Sequence, residues 1–60
     1  MSTKEFVVFF KFFVGARPYT GTVGTRAGSE AAACGAVRDK IINQYRNAGL
    51  DEDSILLAAS

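Results

Sequence analysis

The segment Glu5–Val14 reads EFVVFFKFFV, apolar at nearly every position after its first residue and broken only by Lys11. Aromatic and β-branched side chains at this density favour a strand over a helix, which predicts a strand over Glu5–Val14. Gly15-Ala16-Arg17-Pro18 interrupts it, and a reversal is expected there because proline cannot donate to a ladder and favours early turn positions. Tyr19–Arg26 carries the threonines and valine of a second strand, weakened by Gly21 and Gly24 in a way that an edge strand tolerates. The two segments together predict a β-hairpin.

At Ala27-Gly28-Ser29-Glu30 the apolar period lengthens from two to between three and four. Ser29 suits an N-cap, and Glu30 sets a negative charge at the positive end of the helix dipole. A helix is expected from there to Ala48, with Gly49 as a left-handed terminating residue and Leu50 folding back as its apolar contact. The helix stripe is Ala33, Cys34, Val37, Ile41, Tyr45 and Ala48, with Ile42 beside it. Ala31, Ala32 and Gly35 are small enough to let the helix approach a sheet closely. Asp51-Glu52-Asp53 reads as a short acidic loop, and Ser54–Ala59 as a third strand.

The expected fold is α+β, in the order β-β-α-β, as a single small domain over residues 1–60. A right-handed crossover makes the third strand parallel to the second and leaves the first between them. The result is a three-stranded, mainly antiparallel sheet of order 2-1-3 with one helix packed on one face.

Size sharpens the question of what supports such a fold. A chain of this length buries only about 60% of the surface that it exposes when unfolded. Cys34 is the one cysteine and histidine is absent, which removes an internal disulfide and a Cys/His zinc site from the usual supports. Self-association remains, and a homodimer or higher homo-oligomer is expected. Seven Lys/Arg against six Asp/Glu leave a net charge of +1, too small to set up a field directed at nucleic acid or an acidic membrane. No apolar run reaches the roughly 20 residues of a membrane span, and the N-terminal segment lacks the layout of a signal peptide. A cytoplasmic chain without a membrane partner is therefore expected.

Strand alternation then divides the first segment. Phe6, Val8, Phe10, Phe12 and Val14 form one face, which the helix stripe must cover. Glu5, Val7, Phe9, Lys11 and Phe13 form the other, and the chain has no second helix for it. With Leu56 or Leu57 from the third strand, this face approaches the few hundred Å² at which exposed apolar surface marks an interaction site. Val7, Phe9, Lys11, Phe13 and Leu56 are the candidate interface, for a second copy or another protein, with Phe9 and Phe13 as anchors and Lys11 as a rim charge. Compact, histidine-free chains of this kind are associated with phage and bacterial inhibitors and adaptors. The alternative is a platform for single-stranded nucleic acid, with Phe9 and Phe13 stacking on bases and Lys11, Arg17 and Arg26 meeting phosphates. The RNA-recognition signature is missing.

Other features have simpler explanations. Gly21 to Ser29 resembles an anion cradle at a helix start, with Arg26, Gly28 and Ser29 as its residues, yet it matches no phosphate-loop pattern, and turn and cap chemistry accounts for the glycines. Asp51, Glu52 and Asp53 lack calcium-loop spacing, so no metal is expected. Cys34 serves as a small apolar residue. Arg38, Lys40, Asn43, Arg46 and Asn47 form the solvated back of the helix. With no imidazole, no recognisable carboxylate pair and little concavity expected, the chain is not expected to be an enzyme or to hold a cofactor.

Overall fold

The computed structural model describes residues 2–60. Strands β1 (Lys4–Val14) and β2 (Arg17–Ala27) are followed by helix α1 (Glu30–Tyr45) and strand β3 (Leu50–Ala59). The sheet order is β2-β1-β3, with β1 antiparallel to both neighbours. The expected fold and strand order are thus the observed ones.

The reversal after β1 is tighter than the sequence suggests. Val14 pairs with Arg17, so the turn is Gly15-Ala16 alone, and Arg17 and Pro18 belong to β2. Gly15 has φ of 61° and no non-glycine residue among those described has positive φ, the pattern of a II′ turn whose twist matches that of a hairpin. Pro18 is tolerated because of where its nitrogen points. Val7 and Ser60 exchange both backbone hydrogen bonds at 3.0 Å, so odd-numbered residues of β1 turn their backbone groups towards β3 and even-numbered ones towards β2. Pro18 lies opposite Phe13, its nitrogen faces the open edge, and no ladder bond is lost.

The inner face of β1 is the core. Val8 and Phe12 are buried at 0% and 1% exposure beneath Ala33, Val37 and Ile41 of α1, with Ala27 beside them. Ser29 caps the helix as expected, its Oγ accepting from the Ala32 amide at 3.1 Å. The α-helix ends at Tyr45 rather than Ala48, and Arg46–Ala48 tighten into a 3-10 turn before Gly49, whose φ of 93° is left-handed. Ala31, Ala32, Gly35 and Ala48 are exposed, so the small residues do not face the sheet. Ala33 does, because Val37 and Ile41 set the stripe and Ala33 lies one turn before Val37.

Asp51-Glu52-Asp53 is not a loop but the first half of β3. The pairing skips there: Phe13 faces Asp51, whereas Lys11 faces Leu56, so the chain bulges outward between them. The Ser54 hydroxyl fills the resulting gap in the ladder. It accepts from the Phe13 amide at 3.0 Å and donates to the Asp51 carbonyl at 2.6 Å.

Two tests follow from this architecture. Ser54→Ala leaves the Phe13 amide without its acceptor and is expected to destabilise the fold by about 1–3 kcal/mol; an unchanged thermal midpoint would contradict the bridge. The glycines of β2 should respond oppositely to valine. A Cβ at Gly21 meets Phe10 Cζ at 2.8 Å, whereas one at Gly24 meets nothing within 4 Å. Gly21→Val should cost about 1–3 kcal/mol through overpacking and Gly24→Val should be neutral or gain up to ~1 kcal/mol. Equal midpoints for the two variants would show that Phe10 does not depend on the gap.

Candidate functional site

The outer face of the sheet assembles the predicted interface. Val7, Phe9, Lys11 and Phe13 alternate along β1, and Leu56 joins them because it pairs with Lys11. Leu57 pairs with Phe10 and packs against the core instead, which settles which of the two leucines contributes. Val7, Phe9 and Leu56 are 47%, 48% and 65% exposed, and Ala58, opposite Phe9, extends the patch across β3. All five predicted residues share this face.

Lys11 does not sit at the rim. It is on the central strand, and its Nζ lies 5.7 Å from the centroid of the Phe13 ring, within cation–π range. Phe13 is half-buried, while Phe9 is exposed. The apolar patch therefore has a positive charge at its centre.

The nucleic-acid set is brought together only in part. Phe9, Lys11, Phe13 and Arg26 are on the outer face, but Arg17 pairs with Val14 and so belongs to the inner side. Arg26 has Glu5 as its cross-strand neighbour, which sets an opposite charge directly beside it. At the helix start, Ser29 Oγ is occupied by the Ala32 amide, while Arg26 and Gly28 are exposed. The Asp51 carboxylate accepts from the Asp53 amide at 3.1 Å, and no three metal-ligating side chains gather among the described residues. No helix among those residues is long and apolar enough to cross a membrane.

Sequence reasoning missed a concavity on the inner side. A groove between α1 and β2 is lined by Phe10, Phe12, Tyr19, Val37, Ile41 and Tyr45, with Lys40 and Gln44 also contributing. Its aromatic floor is continuous: Phe12 lies 5.3 Å from Tyr19 and 5.1 Å from Tyr45 between ring centroids. The cause is width, since a helix about 10 Å across covers roughly two strands spaced about 4.8 Å apart. The signal was the pair of tyrosines, aromatic bodies with polar tips that suit a half-open margin. Cys34 is half-buried against the core and free. Arg38, expected to be solvated, is half-buried instead, and its Nη1 is enclosed without a hydrogen-bond partner.

No protein family matches the chain, and no curated protein or solved structure is found to be similar to it.

Exposure separates the two sets of phenylalanines energetically. Phe12→Ala is expected to cost about 3–5 kcal/mol, whereas Phe9→Ala, measured on dilute protein, should stay within about 1 kcal/mol of the parent. A large loss of stability in dilute Phe9→Ala would mean that the ring is part of the monomer's core.

Proposed function

We propose that this chain is a small binding protein that works by surface contact rather than catalysis, self-associating through its sheet and holding or inhibiting a macromolecular partner, most readily another protein. The observation that carries this reading is the outer face, where Val7, Phe9 and Leu56 are each about half exposed or more on one side of a single sheet. Burying each aromatic side chain can remove about 150–250 Å² from water, and the small inner core gives the chain reason to gain from it. A partner suited to this face is apolar with an acidic group opposite Lys11, because burying an unpaired ammonium is costly.

A nucleic-acid reading draws on Phe9 and Phe13, four residues apart on one face with Lys11 between them. Glu5 beside Arg26 and the diversion of Arg17 to the other side weaken it.

Sedimentation velocity from low to high micromolar concentration tests the proposal. The parent chain should associate, and Leu56→Asp should weaken association by about tenfold or more, equivalent to ~1.4 kcal/mol, with helicity unchanged. A parent chain that stays monomeric throughout would contradict self-association. Low-salt binding of a labelled single strand that is lost in Phe9→Ala with Phe13→Ala would favour the second reading.

A further inference from the structure

Resting on the self-association just proposed, we infer that the copies join edge to edge through β3, with Leu57 on the two-fold axis, so that two three-stranded sheets become one. β3 is an edge strand, and its alternation is fixed by the Val7–Ser60 exchange. Leu56, Ala58 and Ser60 turn their backbone groups towards β1, so the N–H and C=O groups of Ile55, Leu57 and Ala59 point away from the sheet. Such a row of outward groups is a template for another strand. From Ile55 to Ala59 it contains no charge, proline or glycine.

The opposite edge is guarded. On β2 the outward positions are Pro18, Thr20, Thr22, Gly24 and Arg26, which include a residue without an N–H and a charged one. A partner strand is disfavoured there.

The register follows from the same alternation. An antiparallel copy centred on Leu57 sets Ile55 opposite the partner's Ala59 and pairs all the outward groups in about six interchain hydrogen bonds. The outer-face side chains then meet as large against small, Leu56 against Ala58, twice by symmetry. The acidic residues Asp51, Glu52 and Asp53 of each copy fall outside the paired segment, so no like charges are opposed. Moving the axis to Leu56 would require the Asp53 amide, which the Asp51 carboxylate already holds at 3.1 Å. The joined sheet carries Val7, Phe9, Leu56 and Ala58 of both copies as one apolar band.

Disulfide trapping tests the edge and the register together. In a Cys34→Ala background, Leu56→Cys and Ala58→Cys alter exposed positions and leave the core intact. Facing non-hydrogen-bonded pairs have Cα atoms about 4.5 Å apart, within the range for a disulfide. A mixture of the two single variants should cross-link under mild oxidation while each alone stays reduced. Face-to-face sheets lie about 10 Å apart, too far for this bridge. If the parent sediments as a dimer but the mixture does not cross-link, edge pairing is wrong and the broader reading survives. Leu56→Cys cross-linking to itself contradicts the register, and a monomeric parent overturns both.

Discussion

The structure depends on the burial of one face of β1 under one helix. Val8 and Phe12 are enclosed by Ala33, Val37 and Ile41, and this contact fixes the register of β1, since a slip by one residue would exchange its two faces. Among the described residues one α-helix serves a three-stranded sheet, so the same contact determines what stays uncovered. The outer face remains open, as does the margin of the inner face over β2, where Tyr19 and Tyr45 close the core with aromatic rings whose centroids are 5.4 Å apart.

The second constraint is the management of edges. Pro18 stands where its missing N–H costs nothing to the fold and denies a donor to any strand that approaches β2. On β3 the acidic bulge occupies the first half, held by the Ser54 hydroxyl and the Asp51 carboxylate, and the second half is smooth and apolar. Charge and irregularity thus concentrate at one end of the edge. This asymmetry is the physical basis for the edge pairing inferred above, and the bare outer face is the basis for partner binding.

Much of this was legible in the sequence because the signals were local. The alternation of β1, the Ser29 cap, the left-handed Gly49 and the crossover rule together specify the strand order. The outer patch followed from parity alone, since Val7, Phe9 and Phe13 cannot share a face with Val8, Phe10 and Phe12. Errors arose where pairing overrides local preference. Asp51-Glu52-Asp53 looks like a loop by composition, yet β1 extends far enough to pair with Asp51. Arg17 and Pro18 look like turn residues, yet Gly15 and Ala16 complete the turn without them. Ala31, Ala32 and Gly35 suggested close approach, but the larger Val37 and Ile41 determine how the helix faces the sheet. The groove over β2 is a mismatch of widths, which no single segment encodes.

The central claim is that the outer face of β1 is exposed while its inner face is buried, and that edge pairing of two copies leaves the outer face free for a partner protein. Phenylalanine ring NMR signals in the presence of a soluble paramagnetic probe, recorded on dilute and concentrated samples, test it most directly. In dilute protein the Phe9 ring should be strongly broadened and the Phe12 ring spared. As concentration rises and copies join edge to edge, both rings should stay unchanged, because the joined sheet keeps Phe9 on its open face. A Phe9 ring protected in the dilute monomer, or one that becomes protected as copies associate, would contradict the account.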